Sequence, residues 1–180
     1  MNKAIFLDRD GTINKGVPFY ERVDSVDKVE LLPNVIEALA KLASLEYKLF
    51  LVTNQAGLAE GLITQADFDE INNRTLELIA PAGVHILKTY VCPHGEGSNC
   101  DCRKPKPKLL QDAAAEYDID LSLSWMIGDR LADVQTGINA GTKTILVKTG
   151  VPAVEAPEAT ATCLTLVEAA DFIAQADASG

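Results

Sequence analysis

Along this chain, short apolar runs alternate with longer stretches in which apolar residues recur every third or fourth position. The runs lie at residues 4–7, 48–52, 84–91, 125–127 and 144–147, and most are bounded by glycine or polar residues. Runs of this length read as buried strands rather than helices. In the first helical stretch, residues 33–45, Pro33 suits an opening position, and Val35, Ile36, Leu39, Leu42 and Ala43 fall on one face. Thr64 and Asp67 form a capping-box pattern ahead of a helix whose Phe68, Ile71, Leu78 and Ile79 point inward until Pro81 interrupts it. Pro107 opens a third helix, packed through Leu109, Leu110, Ala113, Ala114 and Tyr117. A fourth presents Val134 and Ile138 to the core and ends at Gly141. Residues 13–31 have no helical period and, with Gly16 and Pro18, read as a surface excursion beside the strand ends. Residues 152–162 read as a surface segment, residues 166–174 as a closing helix, and the last few residues as frayed.

Strands that alternate with helices predict a parallel sheet covered on both faces. At 180 residues and 47% apolar, the chain fits a single globular domain. No basic start leads into an apolar leader, and no run of about 18 apolar residues could cross a bilayer. A soluble cytoplasmic protein is expected, acting as a monomer without a membrane partner. The formal charge of −10 argues against nucleic acid, which binds largely through phosphate neutralisation. A small anion remains acceptable where local cations gather.

The strand pattern places the candidate chemistry. Asp8 and Asp10 follow the first strand, at the edge where open α/β sheets take their ligands. Two neighbouring carboxylates repel, which implies a bound cation or a shared proton. The plainer reading of the pair alone is a capped turn with solvated acids; the buried strand before it and Gly11-Thr12 after it weigh against that. Thr53 and Asn54 end the second strand, Lys104 follows the third, and Asp129 and Asp133 follow the fourth. Thr53 taken alone could equally be a helix cap.

Three of the four cysteines lie between Cys92 and Cys102, together with His94. Cys92, His94, Cys100 and Cys102 make a complete tetrahedral set for structural Zn²⁺, with no open position for catalysis. Unligated thiols in a loop are the alternative. Cys163 reads as a small buried hydrophobe, and His85, within a predicted strand, as structural.

Asp-x-Asp-Gly-Thr, a threonine after the second strand, a downstream lysine and Gly-Asp-x-x-x-Asp together resemble the haloacid dehalogenase superfamily of phosphotransferases, over residues 4 to about 150. The resemblance implies a Rossmann-like three-layer α/β sandwich with a mainly parallel sheet, no large cap domain and a zinc-binding loop insertion at 92–104. It implies that Asp8 is the nucleophile and that Asp10 is the general acid and base. Mg²⁺ would be held by the Asp8 carboxylate, the Asp10 carbonyl and Asp129, with Asp133 orienting that shell. Thr53 and Asn54 would donate to phosphoryl oxygens, and Lys104 would neutralise their charge.

Cys-Pro-His followed by Cys-x-Cys-Arg-Lys-Pro narrows the resemblance to the zinc-containing heptose bisphosphate and histidinol-phosphate phosphatases, the former matching better. By that resemblance Asn54, Gln55, Ala56, Arg103, Lys104 and Arg130 line the substrate site, and residues 16–20 touch substrate as well. The implied activity is removal of the 7-phosphate of a heptose bisphosphate through an aspartyl phosphate, in nucleotide-activated heptose synthesis. Histidinol-phosphate hydrolysis, or a non-catalytic zinc-stabilised module, are the alternatives.

Overall fold

The computed structural model describes residues 1–15, 23–150 and 154–179. Six strands, β1 (Ala4–Leu7), β2 (Lys48–Asn54), β3 (Ile86–Cys92), β4 (Trp125–Gly128), β5 (Lys143–Val147) and β6 (Ala161–Cys163), form one sheet in the order β3-β2-β1-β4-β5-β6. Every neighbouring pair is parallel. The helices are α1 (Val35–Ser44), α2 (Ala56–Ala59), α3 (Gln65–Ile79), α4 (Lys108–Tyr117), α5 (Leu131–Ala140) and α6 (Leu166–Ala178). None of them is long and apolar enough to cross a membrane.

Successive strand residues point to opposite faces, and both faces are buried. Ile5, Leu7, Leu49, Leu51, Trp125 and Ile127 pack on one side with Leu39 and Leu42 of α1 and Ala169 and Ile173 of α6. Phe6, Phe50, Val52 and Met126 pack on the other with Leu109, Leu110 and Ala113 of α4. Phe6 and Phe50 stack with ring centroids 5.5 Å apart. Burying each such side chain stabilises the fold by roughly 1.5–3 kcal/mol. The result is the expected three-layer α/β arrangement, and no second sheet stands over its edge among the described residues.

Several local expectations are corrected. Residues 161–163 form β6, held by parallel pairing to β5 and by Thr144 and Thr160, whose hydroxyls each accept the other's backbone N–H. Three edge residues held by pairing carry no readable hydrophobic period. Helix α1 begins two residues after Pro33, because Asn34 takes a left-handed conformation with φ of 60° that a right-handed helix cannot include. Ile138 is 44% exposed rather than inward. On α5 the close approach falls instead at Gly137, where a Cβ would lie 2.4 Å from the Thr144 methyl, and this turns Ile138 outward. Leu78 is half-buried while Thr75 takes the inward position on α3. His85 is exposed and precedes β3.

The sheet order reverses direction at β1: the chain adds β2 and β3 on one side, then β4, β5 and β6 on the other. A crevice therefore opens between the carboxyl ends of β1 and β4, where ligands bind in open α/β sheets.

Candidate active site

A cleft of about 790 Å³ occupies this crevice. Asp8, Asp10, Thr53, Asn54, Gln55, Ala56, Arg103, Lys104, Asp129, Arg130 and Asp133 all line it, so the structure gathers these predicted site residues in one place. Val23 lines it too, which puts part of the predicted excursion beside the site. Residues 16–20, expected to touch substrate, lie outside the described residues.

Asp8, Asp129 and Asp133 are all buried, and their carboxylate oxygens lie within 4.8 Å of one another. Lys104 Nζ bridges Asp8 Oδ1 and Asp133 Oδ1, each at 2.6 Å, and donates to the Val52 carbonyl at 2.9 Å. Burial raises the Asp8 pKa well above its ordinary value; Lys104 opposes this, while Asp133 and Asp129 add to it. For Lys104, burial works against the charge, but Asp133 and Asp8 outweigh it and raise its pKa. Burial, followed by Asp133, pushes Asp129 up to about 6.

Three carboxylates against the Lys104 ammonium and the exposed Arg130 guanidinium, 3.9 Å from Asp129, still leave an excess of negative charge. Both oxygens of Asp129 are buried without a hydrogen-bond partner. Orphaned carboxylate oxygens in an acidic cluster suit a hard divalent cation. The local backbone is shaped around them. Gly11 has φ of 96°, and a Cβ there would lie 2.5 Å from Asp129 Oδ2, so only glycine satisfies both the turn and the approach.

Asp10 does not join this cluster by its side chain. Arg9 Nε and Nη2 donate to its two oxygens at 3.0 and 2.8 Å, Gln55 Nε2 donates at 2.8 Å, and Asn14 Nδ2 at 3.3 Å. Burial would raise its pKa, but the Arg9 charge and these donors hold it below the usual carboxylate range. Gln55 Nε2 also reaches Thr53 Oγ1 at 2.8 Å, linking Asp10 to the end of β2. Asn54 exchanges two bonds with the Lys104 backbone, accepting from its N–H at 3.1 Å and donating to its carbonyl at 3.2 Å. Asn54 thus ties the loop after β3 to the sheet. Asp133 Oδ2 accepts the Arg130 backbone N–H at 3.0 Å, capping α5 while Oδ1 holds Lys104.

The contacts of Arg9 and Asn14, and Gln55 as a bridge, were not legible in the sequence. An arginine between two acids in a turn next to a buried strand was the available signal.

Cys92, His94, Cys100 and Cys102 bring their ligand atoms within 4.8 Å of one another. Cys92 Sγ lies 2.9 Å from Cys102 Sγ, 3.8 Å from Cys100 Sγ and 3.6 Å from His94 Nδ1. Tetrahedral zinc with Zn–S of about 2.3 Å sets sulfurs ~3.8 Å apart: the donor set suits that ion and the Cys92–Cys100 spacing matches it, while Cys92 and Cys102 would have to part to admit it. Burial pushes the Cys92 thiol up to about 12, whereas the Ser98 hydroxyl, donating to Cys100, draws that thiol down to about 6. Arg103, next in the chain, donates to the His94 carbonyl at 3.0 Å and pairs with Glu96 at 3.4 Å.

A parallel sheet in this order, with an aspartate behind β1, a threonine in β2, a lysine behind β3 and paired aspartates behind β4, defines a haloacid dehalogenase-like hydrolase. Comparison with known proteins agrees. Residues 101–174 match the model of the HAD-hydrolase-like family. The chain is 42% identical over 162 residues to the D-glycero-beta-D-manno-heptose-1,7-bisphosphate 7-phosphatase of Pasteurella multocida, covering 86% of each protein. It is 39% identical over 173 residues to the Helicobacter pylori J99 enzyme of the same name, covering 96% of this chain and 97% of that one. Among solved structures, the D,D-heptose 1,7-bisphosphate phosphatase of B. bronchiseptica, complexed with magnesium and phosphate, superposes with a TM-score of 0.88 at 35% identity, covering 96% of this chain and 98% of the other. This chain belongs to the haloacid dehalogenase-like phosphatases, in the family of the heptose 1,7-bisphosphate 7-phosphatases, and is a phosphomonoester hydrolase.

Proposed function

We propose that the chain removes the 7-phosphate of D-glycero-D-manno-heptose 1,7-bisphosphate, in the synthesis of nucleotide-activated heptose, as a single-domain cytoplasmic monomer. The observation that carries this reading is Asp8, held 2.6 Å from Lys104 at the switch point of the sheet, in a family whose relatives bear that name.

Asp8 attacks phosphorus, and the bond to the C7 oxygen breaks as Asp10 delivers a proton to that oxygen. Asp10 then takes a proton from water, which attacks the aspartyl phosphate, releases phosphate and regenerates Asp8. Asp10 must be protonated for the first step, and an arriving dianion favours that form against the pull of Arg9. Nucleophile and phosphate are both anionic, and unit charges at 4 Å repel by roughly 4 kcal/mol at an effective dielectric near 20.

Lys104 offsets part of this repulsion, and Thr53 offers a hydroxyl to the phosphoryl oxygens. Mg²⁺, when bound by the Asp8 carboxylate, the Asp10 carbonyl and Asp129, supplies the remaining charge neutralisation. Asp133 orients that shell through Lys104 and the α5 cap. Zn²⁺ in the cysteine set would hold Arg103 at the cleft. Arg103 and Arg130 would receive the second phosphate, while Asn54, Gln55 and Ala56 line the wall beside it.

A charge-assisted contact of this kind contributes about 1.5–3 kcal/mol, or about 10- to 150-fold in affinity. Phosphate release across a sugar-phosphate panel should therefore show kcat/KM for the heptose bisphosphate at least about tenfold above heptose 7-phosphate and histidinol phosphate. Arg103→Ala should shrink that preference more than it slows a small monophosphate. Equal or better efficiency on histidinol phosphate would overturn the substrate assignment.

A further inference from the structure

Arg9 is the second-largest fully buried side chain among the described residues, after Trp125, and it does not line the cleft. Burying a guanidinium is costly, and an ion pair that serves stability alone is often replaceable by apolar packing. The geometry here does something apolar packing cannot. Nε and Nη2 bind the two Asp10 oxygens in parallel, at 3.0 and 2.8 Å, with the guanidinium carbon 5.4 Å from the centre of the Phe68 ring. The terminal torsion of an aspartate is otherwise broad. A two-point fork fixes the plane of the carboxyl, whereas a lysine would leave it free to turn. Phe68 and Thr75 of α3 hold this assembly from behind, Thr75 by accepting the Asn14 amide at 3.0 Å. Asp10 keeps 30% of its side chain exposed.

We propose that Arg9 is a positioning residue for phosphoryl transfer: its fork sets the Asp10 carboxyl so that the proton meets the leaving-group oxygen. This rests on the reading of Asp10 as general acid and base given above. Arg9 is fully buried and does not line the cleft where substrate would sit. It acts only through Asp10, so its removal costs most where the leaving oxygen needs a proton. A sugar alkoxide needs one; 4-nitrophenolate, a weak base, does not.

The test compares kcat/KM on a sugar bisphosphate and on 4-nitrophenyl phosphate, because that ratio reports formation of the aspartyl phosphate. Four proteins are needed: wild type, Arg9→Met, Asp10→Asn and the double variant. Methionine keeps an apolar stem against Phe68 and removes the fork. Arg9→Met is expected to lower kcat/KM about 10- to 100-fold on the sugar and less than about threefold on the aryl ester. The kcat should fall on both, since the same carboxyl later deprotonates water. In the Asp10→Asn background, Arg9→Met should add nothing further.

Equal losses on the two substrates, or losses that multiply in the double variant, overturn the inference and mark Arg9 as merely structural. Where the methionine variant does not fold, Arg9→Lys is read by the same criterion, with a smaller selective loss expected. If Asp10→Asn itself shows no leaving-group selectivity, the acid role falls and this inference with it. If Asp10→Asn is selective and the Arg9 variants are not, only the role of Arg9 falls.

Discussion

The carboxylate cluster and the cysteine loop are two charged, chemically demanding regions in one protein, and they are held in different ways. Asp8 and Asp129 directly follow β1 and β4, whose register pairs Leu7 with Ile127, so the buried sheet itself sets their separation. Lys104 joins them through Asp8, Asp133 and the Val52 carbonyl. Of the cysteine set, only Cys92 sits in a strand and is buried; His94 is exposed, and Cys100 and Cys102 are half-buried in the loop that follows. Core packing thus sets the first site from strand ends, while the second lies on a loop that meets the core through Cys92, Cys100 and Cys102 and leaves His94 at the surface. A Zn²⁺ ion held by that set would add ordering energy to the loop beyond these contacts. Lys104 belongs to both regions: it leaves the cysteine loop, yet Asn54 and Val52 fasten it to the sheet.

The largest expected effect comes from Asp8→Asn. Turnover should fall about a thousandfold or more, as when a nucleophile is removed. The melting temperature should hold or rise, because the amide keeps the shape and relieves repulsion from Asp129 and Asp133. Steady-state kinetics and calorimetry on the same preparation check this, and a clear drop in melting temperature would mean that the cluster holds the fold rather than the reverse.

Next in size is Cys100→Ser with Cys102→Ser. Metal analysis should show about one zinc in the wild type and almost none in the variant, with the melting temperature lower by about 5 °C or more. Since Lys104 is anchored elsewhere and Arg103 is not, KM for a bisphosphate should rise about tenfold while kcat changes less than about threefold. A kcat that collapses along with zinc content would show that the two regions are not separately held.

The smallest is Asn54→Ala, which cuts the tie between them. Two lost hydrogen bonds should cost about 1–3 kcal/mol in denaturant unfolding. In this background kcat should become sensitive to zinc removal, because the loop alone then places Lys104. No such sensitivity would mean that Val52, Asp8 and Asp133 suffice to hold the lysine.

Much of this molecule could be read from its sequence, because the cues are local. Apolar runs at residues 4–7, 48–52 and 125–127, each followed by glycine or a polar residue, specify parallel strands, and the residues at or just past each strand's carboxyl end are delivered to one edge by topology alone. Asp8, Thr53 and Asp129 converge for that reason. That Cys92, His94, Cys100 and Cys102 form one donor cluster was legible because residue type and short spacing bring them together. Strand β6 was not, since an edge of three residues owes its place to pairing with β5 rather than to a hydrophobic period.

Ile138 was misplaced because a helical face is chosen by the closest approach, here at Gly137 against Thr144, and not by apolar spacing alone. The sequence by itself determined which side chains would meet at the carboxyl edge of the sheet. Only the tertiary structure decided how they pair: Arg9 lies between two aspartates in the chain and forks only Asp10, while Lys104 takes Asp8. The choice depends on Phe68 and Thr75 of α3 closing over the turn and on Asn54 fastening the loop after β3, contacts between segments far apart in sequence. Hydrogen-bond partners at distances of about 3 Å are selected by packing to within a fraction of an ångström, and no periodicity encodes that.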